Sequence, residues 1–96
     1  MVNKLYVLIR DDITPSQQAV QACHAVGEFM RHDNVTWPNE TIVLLKTKDL
    51  GSWFARMDDI ADSWFEFCEP DIGNQMTAIA AWGPNCPRAF KNLPLL

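Results

Sequence analysis

The segment KLYVLIRDDITPSQQAV (residues 4–20) decides the fold, because a strand pattern passes almost directly into a helix start. Residues 4–9 form a near-continuous apolar run, which is typical of a strand buried on both faces near the centre of a sheet. Thr14, Pro15 and Gln17 then predict a helix N terminus. Threonine is a good N-cap, proline suits the first helical position, and glutamine three residues after threonine completes a capping box.

The helix that begins at Pro15 is expected to end near Arg31, and it carries two stripes of side chains. One stripe is apolar, and we expect it to face the core: Ala19, Val20, Cys23, Val26, Gly27 and Met30. The other stripe is polar, and its spacing keeps the side chains on one face of the helix: Gln17, Gln21, His24 and Glu28.

The rest of the chain predicts three more strands, a second helix and a short third helix. A polar loop from His32 to Glu40 leads to a buried strand at 41–46, and Trp37 in that loop is expected to be exposed. Asp49 caps a helix whose core face has helical spacing: Leu50, Trp53, Phe54, Met57, Ile60 and Ala61. Strands follow at 64–68 and 76–82, with a turn at 70–74 between them, and the tail from Pro87 predicts a short helix.

This order of elements, β-α-β-α-β-β, predicts a single domain over residues 1–96. A β-α-β unit implies parallel strands with a right-handed crossover, whereas the last two strands are close enough in sequence to form an antiparallel hairpin. We therefore predict an α/β fold with a mostly parallel, mixed four-stranded sheet flanked by helices.

The composition is that of a folded globular protein, with 48% hydrophobic and 21% charged residues. The net charge of -4 argues against strong, non-specific RNA binding, because phosphate neutralisation supplies much of that affinity. A local basic patch would still form if the scattered cations converged in space: Arg10, Lys46, Lys48, Arg88 and Lys91.

The three cysteines form no C-x-x-C pair and have no metal-ligand spacing with His24 or His32. We expect free, mostly buried thiols in a cytoplasmic protein, with no metal and no cofactor. A cysteine enzyme or metal site built on Cys23 and His24 is disfavoured, because adjacent helical residues point about 100° apart. No apolar run is long enough to span a bilayer, and the N terminus has no signal-peptide pattern.

Polar residues are expected to meet at one edge of the sheet, because ligands of open α/β sheets bind beyond the C-terminal ends of the strands. The first strand delivers Arg10 and Asp12 to that edge, and the first helix begins there. If the third strand runs parallel to the first, the turn containing Asp71 arrives at the same place. The predicted patch then comprises Arg10, Asp12, Gln17, Gln21, His24 and Asp71.

A purely structural role would also explain each of these residues. Gln17 can serve only the capping box, and a lone helical histidine such as His24 is commonly a satisfied structural residue. Asp71 precedes Gly73 in a turn-forming sequence, and Arg10 and Asp12 can form an ion pair.

Two segments together resemble the type II peptidyl-tRNA hydrolases. Residues 10–13 (RDDI) are similar to the R-x-D-L strand end of that family, and residues 21–25 (QACHA) to its A-A-Q-x-x-H-A helix. Residues 41–46, the PDIG turn at 70–73, the segment from Ile79 to Pro84 and the leucine-rich end follow in the family's order. The resemblance covers nearly the whole chain.

This resemblance implies hydrolysis of the ester that joins a peptide to the 3′ end of tRNA, by a homodimer that needs no metal. Asp71 would match the catalytic aspartate, and His24 and Gln21 would match helix residues of the site, with Arg10 and Asp12 beside them. Thr77 would fall near a threonine of the strand after the turn.

Two departures from the family pattern lie at this site. Ser16 and Gln17 replace a G-K pair, so a neutral amide stands where the family has a cation, and the segment between Asp71 and Thr77 is short. We expect Asp71, with His24, to position a water and Gln17 to face the oxyanion. The alternative is a non-catalytic module of the same fold that binds RNA, a peptide or a protein.

Overall fold

The computed structural model describes residues 3–33 and 37–96. In chain order they form β1 (Lys4–Arg10), α1 (Pro15–His32), β2 (Thr41–Thr47), α2 (Leu50–Ile60), β3 (Ser63–Glu69), a 3-10 turn (Pro70–Ile72), β4 (Gln75–Trp82) and α3 (Cys86–Ala89). Each predicted strand is present, with its ends within one residue of the expected positions. The small α/β fold is thus confirmed.

The four strands form one mixed sheet in the order β2-β1-β4-β3. β1 is parallel to β2, whereas β4 is antiparallel to both β1 and β3. Three strands therefore point the same way, but only one pair of neighbours is parallel, so "mostly parallel" describes strand direction and not pairing. The difference arises because β4 folds back along β3 and pairs with β1 on its other side, and so separates β3 from β1.

Helices cover both faces of the sheet, as the sequence predicts. α1 packs Ala25 and Phe29 against one face, together with Val7 of β1. α2 and α3 cover the other face, where Met57 and Phe90 belong to the same core cluster as strand residues. β1 is buried on both faces, which confirms its predicted place inside the sheet.

β2 is an edge strand, so the prediction of a buried strand was wrong for its first residues. Thr41 and Ile42 are exposed, whereas the second half is covered. The C-terminal tail lies along that half, because Lys46 N–H donates to the Pro94 carbonyl and Leu96 N–H donates to the Leu44 carbonyl, both at 3.0 Å. The tail satisfies backbone groups that an open sheet edge would leave unpaired.

α1 turns a different face to the core from the one its apolar stripe predicts. Val20 and Met30 are about half exposed, at 50% and 48%. The buried side chains include two glutamines: Gln18, Gln21, Ala22, Ala25 and Phe29. Gln18 can be buried because its Nε2 donates to the Arg10 carbonyl at 3.3 Å, which satisfies the amide away from water.

Two aromatic side chains also differ in burial from their predictions. Trp37 is buried, and its indole N–H donates to the Asn3 carbonyl at 3.0 Å, so it is not an exposed contact. Trp53 packs against the core as expected, whereas Phe54 is 38% exposed and lies edge-on to Trp64.

The three thiols are free, but only Cys86 is buried; Cys23 and Cys68 are exposed, so the prediction of mostly buried thiols was wrong. Both exposed cysteines lie outside the two core clusters, because α1 turns its other face to the sheet and Cys68 is on an edge strand. Burial, with a smaller contribution from the charge of Asp62, raises the pKa of the Cys86 thiol to about 12. That thiol is therefore unreactive near neutral pH.

Candidate functional site

A cavity of about 260 Å³ lies between the first turns of α1, the end of β3 and the 3-10 turn that follows it. We call it the α1–β3 cavity, and it is lined by Ile13, Ser16, Gln17, Val20, Gln21, Glu69, Asp71, Ile72 and Thr77. β3 runs in the same direction as β1, so the turn after β3 reaches the sheet edge at which α1 begins. Asp71 and Gln17 consequently share one cavity.

A buried relay of hydrogen bonds underlies this cavity. The Thr77 hydroxyl donates to the Gln21 amide oxygen at 2.8 Å, and the Gln21 amide nitrogen donates to a Glu69 carboxylate oxygen at 3.0 Å. Thr77 is completely buried and Gln21 is 5% exposed. Both groups of the Gln21 side-chain amide are therefore engaged, and the relay fixes the Glu69 carboxylate at the cavity wall.

The N terminus of α1 has few donors left for a ligand. Thr14 accepts the Gln17 N–H through its hydroxyl at 3.3 Å and the Gln18 N–H through its carbonyl at 2.8 Å, and Pro15 has no N–H. In the first turn, the Ser16 N–H is therefore the backbone donor that these contacts leave without an acceptor. Only half of the predicted capping box forms: the Gln17 N–H meets the Thr14 hydroxyl, but the Gln17 side chain makes no hydrogen bond back to the Thr14 N–H and instead lines the cavity, where its amide can donate.

Asp71 lies in the 3-10 turn, which backbone groups close. Gly73 has a φ of 71° and its N–H donates to the Pro70 carbonyl at 3.3 Å, while the Asn74 N–H donates to the Glu69 carbonyl at 2.9 Å. Because these bonds shape the turn, the Asp71 carboxylate is not needed for it, and this exposed side chain lines the cavity.

Arg10 and Asp12 lie outside the α1–β3 cavity and form the ion pair of the structural interpretation. Arg10 Nε and one terminal nitrogen donate to the two Asp12 oxygens at 2.8 and 2.7 Å, and its other terminal nitrogen donates to Gln75 at 2.8 Å. Hydrogen bonding to Arg10 lowers the pKa of Asp12. Both residues line a separate depression with Lys48 and Asp49, where cations and carboxylates balance.

His24 lies outside the cavity lining as well. Its exposed ring stacks on Phe67 of β3, with centroids 4.5 Å apart and planes 12° apart. His32 makes the same contact with Phe65. Of the predicted site residues, the structure therefore brings together Gln17, Gln21, Asp71 and Thr77, and it separates Arg10, Asp12 and His24 from them.

Glu69 is the charged cavity residue that the sequence analysis missed. Its signal was its place at the end of β3, directly before the Pro70-Asp71 turn, on the strand face that also carries Phe67 toward α1. Glu69 and Asp71 give the cavity two carboxylates, whereas none of its lining residues among those described is Lys, Arg or His.

Within residues 3–33 and 37–96, no group of three or more His, Cys, Asp and Glu side chains could hold a metal ion. In the same part of the chain, no helix is long and apolar enough to cross a membrane. No protein-family model and no curated protein matches the chain. Its function must therefore be argued from the cavity and from the residue pattern.

Proposed function

We propose that the chain is an ester hydrolase that resembles the type II peptidyl-tRNA hydrolases and cleaves the bond between a peptide and the 3′ end of tRNA. One observation carries the proposal: Gln21, Asp71 and Thr77 line the same cavity although they come from a helix, a turn and a strand. These are three of the positions that the family resemblance assigns to the site.

Ester hydrolysis requires an activated water and stabilisation of a developing oxyanion. In our proposal the Asp71 carboxylate takes a proton from the water that attacks the ester carbonyl. The Gln17 side-chain amide and the Ser16 N–H donate to the oxyanion. When the intermediate collapses, the bond to the ribose oxygen breaks and the proton on Asp71 passes to that oxygen.

His24 has no place in this chemical step, because its ring stacks on Phe67 outside the cavity. Gln21 and Thr77 also take no direct part in the step, because their hydrogen bonds to each other and to Glu69 make them part of the cavity wall. Neutral donors stabilise an oxyanion less than the cation of the family pattern would, so we expect slow hydrolysis.

The test is release of a labelled peptide from peptidyl-tRNA by the purified chain. We expect cleavage above the rate without protein, and we expect Asp71→Asn to abolish it. Asp59→Asn is the matched control, because Asp59 is an exposed carboxylate on α2 and lines neither the cavity nor the Arg10 depression. No cleavage by a folded protein, or full cleavage by Asp71→Asn, would reject the mechanism.

A non-catalytic binding module is the second candidate, and the acidic cavity favours it. Without a lining cation in the described part of the chain, the cavity has no side chain to neutralise phosphate. Salt-insensitive binding to a protein partner, without ester cleavage, would support this candidate over the hydrolase.

We also propose that the chain forms a homodimer, as the resemblance implies, and that it is cytoplasmic. Free thiols suit a reducing compartment. α1 and β2 form an exposed apolar groove lined by Ala19, Ala22, Cys23, Val26, Ile42 and Leu44. The chain has a net charge of -4, but the lining of this groove is uncharged, so two copies that meet there bring no like charges into contact.

Ile42→Glu should convert a dimer to a monomer in light scattering, whereas Ala55→Glu on α2 should not. A monomeric wild-type protein would reject the dimer.

A further inference from the structure

The α1–β3 cavity has more hydrogen-bond acceptors than donors. Thr77 gives its hydroxyl proton to Gln21, and Gln21 gives one amide proton to Glu69, so these two side chains together keep at most one proton for a ligand. Glu69 accepts that bond at one oxygen, and a carboxylate has about four lone-pair sites, so it retains acceptor capacity. Asp71 adds a second carboxylate to the same wall.

No basic side chain compensates these two carboxylates. In the described part of the chain, neither Glu69 nor Asp71 forms a salt bridge with a Lys, Arg or His side chain, and the nearby Arg10 is engaged with Asp12 and Gln75. A cationic ligand would therefore provide the positive charge that no described side chain offers to Glu69 and Asp71.

The cavity also has an apolar side and a small volume. Ile13, Val20 and Ile72 contribute to its lining, and Val20 and Ile72 are exposed enough to contact a ligand. Its volume of about 260 Å³ is below the range of roughly 300–1,000 Å³ of pockets that hold drug-sized molecules. It suits one amino-acid residue rather than a folded peptide.

We propose that the α1–β3 cavity selects an acyl group that carries a primary ammonium, with Glu69 as the specificity-determining residue. An ammonium has three donors and no acceptor, which complements the acceptor surplus of the wall. The charge is the side-chain ammonium of a lysine at the C-terminal end of the peptide, because the α-nitrogen of that residue lies in a peptide bond in peptidyl-tRNA. The proposal deepens the hydrolase function and rests on it, because it assumes that the acyl group of the ester lies in this cavity.

Binding of non-hydrolysable probes tests this selection without any ester cleavage. The probes are leucinamide, which has an α-ammonium, N-acetyl-leucinamide, which has no charge, and Nα-acetyl-lysinamide, which has only a side-chain ammonium. We expect NMR titration of the full chain to show Nα-acetyl-lysinamide binding roughly tenfold more tightly than N-acetyl-leucinamide, since charged hydrogen bonds contribute at least this factor. Cavity amides such as that of Thr77 should shift.

Glu69→Gln should remove this preference while it keeps an acceptor for the Gln21 amide. Asp59→Asn should retain the preference, and the amide spectrum of each variant reports on the fold. Preference for Nα-acetyl-lysinamide assigns the lysine side chain, whereas preference for leucinamide alone would overturn the proposal, because the last residue of a peptidyl ester has no α-ammonium. Equal binding of all three probes, no binding, or an unchanged preference in Glu69→Gln would overturn the proposal. Selective binding without any cleavage of acyl-tRNA would reject only the hydrolase function.

Discussion

At the scale of single residues, the Thr77–Gln21 hydrogen bond has the clearest energetic consequence. Thr77→Val keeps the shape of the side chain but leaves the Gln21 amide oxygen without its 2.8 Å donor in a buried place. An unsatisfied buried polar group costs about 1–3 kcal/mol, so we expect the free energy of unfolding in urea to fall by that amount. The measurement is equilibrium unfolding followed by tryptophan fluorescence.

Thr41→Val is the control for this substitution, because Thr41 is exposed at the start of β2. We expect it to change the free energy of unfolding by less than about 0.5 kcal/mol. Combining Thr77→Val with Gln21→Met should recover part of the loss, since an apolar pair leaves no orphan acceptor. Equal effects of Thr77→Val and Thr41→Val would show that the buried hydrogen bond contributes nothing.

At the scale of elements, Asp49 is the N-cap of α2, and the stability that this cap contributes depends on pH. Its carboxylate accepts from the Ser52 hydroxyl at 2.7 Å and from the Ser52 N–H at 3.1 Å, and these bonds, the hydroxyl first, lower the pKa of Asp49. A lowered folded-state pKa adds stability above the ordinary value of 3.8, and that stability is lost as the pH falls below it.

Asp49→Asn should keep the cap but lose this pH dependence, because asparagine is also a good N-cap and does not ionise in this range. We expect the Tm of the variant to be below that of the wild type at pH 6 and to approach it at pH 3, as measured by circular dichroism. Ser52→Ala should weaken the trend, since it removes the largest cause of the shift. A constant Tm difference between pH 6 and pH 3 would contradict the argument.

α1 shows where sequence reasoning about an element succeeds and where it fails. Thr14 and Pro15 act locally, so the start of the helix could be predicted to the residue. Which face is buried depends on the sheet below, and an amide becomes a core group only when distant atoms satisfy it. Gln21 meets Thr77 and Glu69, which lie 56 and 48 residues away. Hydrophobic periodicity contains no information about such partners, so of the predicted apolar stripe only Val26 packs against the core.

At the scale of the whole molecule, strand order was the part that the sequence left open. Each strand has a local pattern, but the place of β4 beside β1 depends on a hairpin that returns across the sheet. The site followed the same rule: shared strand direction brought Asp71 to the cavity as predicted. Arg10 and Asp12, which were predicted to join it, lie outside the cavity, because their ion pair and the bond to Gln75 hold them at the neighbouring depression.

The charge distribution of the whole chain predicts weak salt dependence of tRNA binding. The net charge is -4, no described residue lining the α1–β3 cavity is basic, and the cations Arg10 and Lys48 share their depression with Asp12 and Asp49. If at most about two phosphates are neutralised, a slope of roughly -0.7 per phosphate gives less than a tenfold loss of affinity between 50 and 200 mM salt. Fluorescence anisotropy with a labelled peptidyl-tRNA, under conditions in which Asp71→Asn prevents turnover, measures this slope. A loss of about a thousandfold would instead require an extended phosphate-binding surface, and replacing Lys48 by Gln would then show whether the depression beside α2 belongs to it.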